Sequence, residues 1–271
     1  MNPAVDRALA LLCAAPATTG VVLDYDGTLA EIVPQPDKAV PLAGALDILA
    51  RLVARFGIVA VVSGRPVAFL TEHLGTGSPL DRLAIYGHYG LEHRAADGSV
   101  GRDPLVDDYQ GAITKATRDA RAAVPPGALV EEKGLALTLH WREAPEVAPR
   151  ATELAHEIAR RYGLAIRQGK RAIELVLPVA IDKGSVVISL LAGCSAGCVL
   201  GDDVGDLPAF AAIGALARSP GFSGVRVAVT GPEIPEALTK EADFTVEGPQ
   251  GALGFLEELA NRAAPANRAV D

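Results

Sequence analysis

Two aspartates one residue apart, Asp24 and Asp26, end an apolar run, and Gly27 and Thr28 follow at once in VVLDYDGTLA, residues 21–30. Carboxylates this close repel and raise each other's pKa unless a cation lies between them. Three more polar clusters punctuate the chain: Ser63-Gly64-Arg65, Asp182-Lys183-Gly184 and Gly201-Asp202-Asp203-Val204-Gly205-Asp206. Taken singly, each reads as a turn or a solvated loop. Taken together they supply oxygen ligands, a hydroxyl donor and a point positive charge. Mg²⁺ suits such a set, because it takes oxygen ligands and keeps waters and a substrate phosphate. An aspartate beside it can act as a nucleophile and form an aspartyl-phosphate. A second carboxylate two residues on can protonate the leaving oxygen and then activate water. Ser63 and Lys183 suit the equatorial oxygens of a transferring phosphoryl group. Lys183 opens a predicted helix, where the dipole disfavours a cation, so an anion is expected beside it.

The elements that must carry these residues follow from the apolar patterning. GVVLDYD (20–26) is a continuous apolar run, as in a strand buried on both faces. A helix is predicted over 41–56, opened by Pro41, then a strand over 58–64, a helix over 66–74 and a strand over 83–87. This is the βαβαβ rhythm of a doubly wound fold. Asp97-Gly98 signals a hairpin turn. The rhythm then changes to helix (107–123), strands (129–132 and 135–142), helix (145–162) and strands (164–167 and 171–177). That pattern predicts a small antiparallel sheet with helices on one face. From Asp182 the first rhythm returns, through a last helix over ALGFLEELANRA and a frayed tail after Pro265. The expected organisation is a doubly wound, mostly parallel α/β core in two segments, 1–103 and 181–271, with an inserted α+β cap domain at 104–180. All four polar clusters then fall past the carboxyl ends of core strands or at a helix start on that edge, where open α/β sheets bind ligands.

Bulk properties narrow the class. The chain has 271 residues, 49% hydrophobic and 4% aromatic, with a formal net charge of −8. That balance argues against a nucleic-acid or anionic-membrane surface. No apolar run reaches the roughly 18 residues of a membrane span. The leading MNPAVDRALALLCAAPA lacks the basic start of a signal peptide and is expected to form a short surface helix in a cytoplasmic protein. Cys194 and Cys198 lie near no further pair that would complete a zinc site, so the three cysteines read as small thiols in a reducing compartment. The low aromatic content hints at no large interface, and a monomer is expected.

The motif residues also carry a resemblance. Asp24-Tyr25-Asp26-Gly27-Thr28, Ser63, Lys183 and Gly201-Asp202-Asp203, in that order, resemble the four motifs of the haloacid dehalogenase superfamily of phosphohydrolases. It covers roughly residues 20–103 and 181–262 and implies a Rossmannoid, haloacid dehalogenase-like core. It implies Asp24 as nucleophile, Asp26 as general acid/base and backbone-carbonyl metal ligand, and Lys183 as a catalytic and phosphate-binding group. Gly27, Thr28, Ser63 and Gly64 would shape the phosphate site. The implied Mg²⁺ ligands are Asp24, Asp26 and Asp202, with Asp203 and Asp206 as auxiliary carboxylates.

Three further segments, GHYGLE (87–92), EEKGLALTLHWR (131–142) and GKRAIELVLP (169–178), are similar to segments of the trehalose-phosphatase family. The resemblance implies that Glu131, Lys133, His140, Arg142, Lys170 and Glu174 grip a sugar phosphate from the cap, with Arg65, His88 and Glu92 on the core side. Two departures accompany it. Gly205 and Leu207 stand where the family's acidic motif has Thr and Glu, and Tyr89 stands where related sequences often carry His. The expectation is Mg²⁺-dependent hydrolysis of trehalose 6-phosphate, with cap closure excluding water. The alternatives are a phosphatase for another sugar phosphate, such as sucrose phosphate or a glucosyl- or mannosyl-phosphoglycerate, and a catalytically silent sugar-phosphate sensor or regulatory partner of a glycosyltransferase.

Overall fold

The computed structural model describes residues 2–33, 35–94, 98–169, 171–231 and 234–263, and the chain divides into two compact units. The larger contains the segments ending at Ile32, Ala39–Gly101 and the segment from Ile181 onward; the smaller contains Val33–Lys38 and Arg102–Ala180. In chain order the elements are α1 (Pro3–Leu12), β1 (Thr19–Leu23), α2 (Ala45–Arg55), β2 (Ile58–Val62), α3 (Val67–Leu74), β3 (Ala84–Gly87), β4 (Glu92–Arg94) and β5 (Val100–Arg102). Next come α4 (Leu105–Ala123), β6 (Leu129–Glu132), β7 (Ala136–His140), α5 (Ala148–Tyr162), β8 (Ala165–Gly169) and β9 (Ala172–Val176). The chain then forms α6 (Lys183–Leu191), β10 (Ala196–Gly201), α7 (Leu207–Leu216), β11 (Ser223–Thr230), α8 (Glu236–Glu241), β12 (Phe244–Glu247) and α9 (Gly248–Arg262).

The larger unit holds a sheet of order β12-β11-β10-β1-β2-β3-β4-β5, parallel from β12 to β3, with β4 antiparallel to β3. β1 is central and all five of its residues are buried, as its unbroken apolar run demands. Val22, Ala60, Val62, Val199 and Ala228 pack with Val186, Val187 and Leu191 of α6 and Phe210 and Ile213 of α7. The alternate residues Val21, Leu23, Val61, Cys198, Leu200 and Val227 are equally buried, and α1, α2 and α9 contact this sheet at β10, β2 and β11. Burial pushes the Cys198 thiol up to about 12, which leaves it a small apolar side chain. From β1 the chain builds outward through β2 and β3, and from β10 it builds the other way through β11 and β12. β1 and β10 therefore flank the point where strand order reverses, the place where ligands bind in open α/β sheets.

One local expectation is corrected. Pro41 does not open α2. Pro41 bridges Ala30 and the Leu42 amide donates to Leu29 O at 2.9 Å, so this stretch pairs with the loop after β1. Gly44, at φ 86°, then turns the chain into the helix. The N-terminal segment forms the expected short helix, with Ala8, Leu9 and Leu12 on its buried face and its other residues exposed or half-buried. The expected turn residue Asp97 and the tail after Pro265 lie outside the described residues, while Gly98 has φ 86°. Among the described residues no helix is long and apolar enough to cross a membrane.

The smaller unit has an antiparallel sheet of order β6-β7-β9-β8. α4 and α5 pack on it, and Leu137, Leu139, Ile173 and Leu175 are almost fully buried. Period-two alternation puts the intervening residues of β7 and β9 on the opposite face.

Candidate active site

Asp24 is the first residue past β1, and its amide still donates to Leu200 O at 3.0 Å, so the strand ladder fixes its position. Asp202 follows β10, the neighbouring strand, and Ser63 follows β2 on the other side. Lys183 is the first residue of α6. Asp182 caps that helix, accepting from the Ser185 amide at 2.9 Å, while Ser185 Oγ accepts from the Asp182 amide at 3.2 Å. The cap aims Lys183 at the carboxylates.

Lys183 Nζ donates to Asp24 Oδ1 at 2.5 Å and to Asp206 Oδ1 at 2.6 Å. The second Asp206 oxygen accepts from the amides of Asp202 (3.0 Å) and Asp203 (3.1 Å), which folds the acidic turn onto itself. Asp24, Asp202 and Asp206 are all buried, with candidate ligand oxygens within 4.8 Å of one another. Burial, and then the neighbouring carboxylates Asp206 and Asp202, hold the Asp24 carboxyl well above the usual range despite Lys183. Burial alone would push the Lys183 ammonium down, but Asp206 and Asp24 outweigh it and keep it firmly charged. One ammonium against three buried carboxylates leaves an excess of negative charge, and the all-oxygen donor set suits a hard divalent cation. Glycine at 27 makes the closeness possible. Its φ is 80°, and a Cβ there would stand 2.2 Å from Asp202 Oδ2. Thr28 Oγ1 is buried with no hydrogen-bond partner among the described residues, a hydroxyl still owed a partner.

Asp26 points elsewhere. Both of its oxygens are taken by Arg65, from Nε at 2.8 Å and Nη2 at 2.7 Å, in a bidentate fork. Arg65 is 8% exposed, lies over the Phe69 ring at 4.6 Å, and donates from its amide to Ser63 Oγ at 3.1 Å. Of the expected metal carboxylates, the structure thus gathers Asp24, Asp202 and Asp206. The Asp26 carboxylate faces Arg65, and Asp203 Oδ1 accepts from the Val204 amide at 2.5 Å. Glu92 Oε2 accepts from the Val67 amide at 3.1 Å and lies 3.8 Å from His88 Nε2, so this carboxylate tethers the start of α3. His88 and Tyr89 both adopt the left-handed backbone region, at φ 48° and 61°. Such strain costs about 1–3 kcal/mol per residue and persists where surrounding contacts enforce it, typically at functional sites.

In the smaller unit, strand register places Glu131 opposite Thr138, and Thr138 opposite Glu174. Lys133 Nζ donates to Glu174 Oε1 at 2.9 Å and lies 3.6 Å from Glu131 Oε2, which is 2.8 Å from His140 Nε2. Glu131, Lys133, His140 and Glu174 therefore form one cluster on the polar sheet face. Arg142 lies beyond the end of β7 and is half-buried. Lys170 lies outside the described residues. Sequence reasoning passed over two residues of this row, Thr138, whose hydroxyl lies 3.4 Å from Glu174 Oε1, and Arg167, which faces Glu174 across β8 and β9. Strand alternation around Glu174 was the available signal.

The trehalose-phosphatase family model matches residues 22–242. A trehalose-phosphate phosphatase of Mycolicibacterium paratuberculosis is 35% identical over 260 residues, which cover 89% of this chain. The chain spans 62% of that relative's length. Among solved structures, a trehalose-6-phosphate phosphatase related protein is 26% identical with a TM-score of 0.73, covering 89% of this chain and 96% of its own. The C-terminal domain of the Candida albicans trehalose-6-phosphate phosphatase has a TM-score of 0.78 at 22% identity, covering 96% and 97% of the two chains, a likeness of fold.

Proposed function

The chain belongs to the trehalose-phosphatase family, and from that membership and the core geometry we propose that it is a phosphatase hydrolysing trehalose 6-phosphate to trehalose and phosphate. The observation that carries the proposal is Lys183 held between Asp24 and Asp206 in a buried acidic cluster at the point where strand order reverses. In our reading Asp24, Asp202 and the Asp26 carbonyl, with Asp206 in support, hold Mg²⁺. When bound, Mg²⁺ offsets the charge of the cluster and of the phosphoryl group.

Lys183 fixes Asp24 through Oδ1 and leaves the other oxygen to attack phosphorus. As that P–O bond forms, the bond to the sugar oxygen breaks and Asp26 gives that oxygen a proton. Water then attacks the aspartyl-phosphate and yields a proton to Asp26. Phosphate leaves and Asp24 is restored. Thr28 Oγ1 and the Ser63–Gly64 loop supply donors to the phosphoryl oxygens. Both Asp26 oxygens are occupied by the Arg65 fork, so Asp26 must turn from Arg65 to carry a proton, which opens the guanidinium to the phosphoryl group. Arg65→Lys is accordingly expected to lower turnover of trehalose 6-phosphate at least about tenfold more than that of p-nitrophenyl phosphate, whose leaving group needs no proton. Unchanged turnover of both would remove Arg65 from the positioning of Asp26.

The cluster of Glu131, Lys133, His140 and Glu174 offers the fixed donors and acceptors that sugar hydroxyls require, and we assign it to the sugar. Lys133→Met should raise KM for trehalose 6-phosphate roughly tenfold to hundredfold, the worth of a charged hydrogen bond, while p-nitrophenyl phosphate hydrolysis stays as it was. The decisive experiment is phosphate release from a panel of sugar phosphates, with and without EDTA. Trehalose 6-phosphate should be preferred and EDTA should abolish turnover. Preference for sucrose phosphate or a glycosyl-phosphoglycerate would move the substrate within the same chemistry. Turnover untouched by EDTA would remove the metal from it.

A further inference from the structure

Tyr89 lies across two loops of the larger unit. The turn that carries it runs along the phosphate loop: the His88 amide donates to Arg65 O at 3.0 Å and the Tyr89 amide to Ser63 O at 2.9 Å. The ring covers Gly64, where an added Cβ would stand 2.7 Å from Cζ and from the phenol oxygen. The ring's Cε1 lies 3.7 Å from the place a Cβ would take on Gly205. Gly64 belongs to the loop after β2, and Gly205 to the acidic turn after β10 that holds Asp202 and Asp206. β1 separates those strands, so the two loops start about 10 Å apart, twice the strand spacing. A tyrosine ring placed between two side-chain-free residues spans much of that gap. The left-handed backbone at His88 and Tyr89 directs it there.

We propose that Tyr89 is a positioning residue for phosphoryl transfer: its ring is a strut that sets the Ser63–Gly64 loop, where only glycine leaves it room, against the Asp202–Asp206 turn, with Gly205 at van der Waals distance from its other edge. Residues 89 and 205 then act as one unit. The inference rests on the phosphoryl-transfer reading of the core and not on the identity of the sugar.

The test is steady-state phosphate release from both trehalose 6-phosphate and p-nitrophenyl phosphate by Tyr89→Phe, Tyr89→Ala, Gly205→Thr and the double variant Tyr89→Ala/Gly205→Thr. Tyr89→Phe keeps the ring and should retain kcat. Tyr89→Ala should lower kcat by as much as about 10²-fold, the cost of displacing reacting groups by about an ångström, with KM nearly unchanged. Gly205→Thr drives a branched side chain against the ring and should also lower kcat. In the Tyr89→Ala background the same threonine should add no further loss. Additive losses in that cycle, or a Tyr89→Phe as damaged as Tyr89→Ala, would overturn the strut. A wild-type protein that turned over no phosphate ester would instead sink the phosphoryl-transfer reading, and the strut with it.

Discussion

Asp24→Asn is expected to lower phosphate release by at least about 10³-fold, since removing a nucleophile costs that much or more, and to leave the fold intact. An amide in this position forms no acyl phosphate, whereas its oxygen still accepts from Lys183 Nζ, the bond Asp24 Oδ1 makes at 2.5 Å. The stability sign can be worked out. Burial raises the Asp24 pKa in the folded state, so its ionised form is disfavoured there. Stability linked to this group is present below its unfolded pKa and is lost as pH rises through the folded one. Asparagine removes that penalty, so at neutral pH without metal the thermal midpoint of the variant should equal or exceed the wild-type value. Circular dichroism melts beside phosphate release separate the two effects. Residual turnover near wild type would remove Asp24 as nucleophile. A collapsed melt would mean that the carboxylate was holding the fold rather than performing the attack.

The parts of the molecule that were legible in the sequence are those specified locally. Val21, Val22 and Leu23 form a strand because an unbroken apolar run has both faces to bury. The first strand of the smaller unit begins and ends at Leu129 and Glu132, as its pattern predicts. Lys183 at a helix start called for an anion, and the structure supplies Asp24 and Asp206. The illegible parts depend on distant partners. Pro41 looks like a helix opener until Ala30 pairs with it. Asp26 and Arg65 stand 39 residues apart, and neither motif announces that the Asp26 carboxylate is held in a fork. Glu92 reads as a ligand-facing charge in GHYGLE, yet its oxygen tethers the amide of Val67, 25 residues away. Tyr89 and Gly205 look like two separate oddities, and only their placement beside each other joins them. Types and spacing report which chemistry is available, whereas partner choice is a property of the packed chain.

Lys183→Met carries the second large effect, on stability and turnover together. Methionine keeps the length of the side chain and removes its charge. The Lys183, Asp24 and Asp206 side chains are 7%, 8% and 1% exposed, so water cannot replace the lost ammonium. Breaking a buried pair by removing one partner costs about 3–5 kcal/mol, which in a chain of this size lowers the thermal midpoint by roughly 5–9 °C. Turnover should fall at least about 10²-fold, the usual cost of losing one fixed donor to transition-state charge. A divalent cation tests the cause. In the variant the carboxylates of Asp24, Asp202 and Asp206 face one another without the Lys183 charge, so Mg²⁺ should raise its midpoint by more than it raises that of the wild type. At a hundredfold excess over Kd that gain approaches about 2.7 kcal/mol. Stability would then return while turnover stays low, because the cation offsets the charge of the cluster without restoring the hydrogen bond that holds Asp24 for attack. A Lys183→Met protein as stable as wild type without metal, or one whose melting ignored Mg²⁺, would show that these carboxylates do not share the cation site assigned to them.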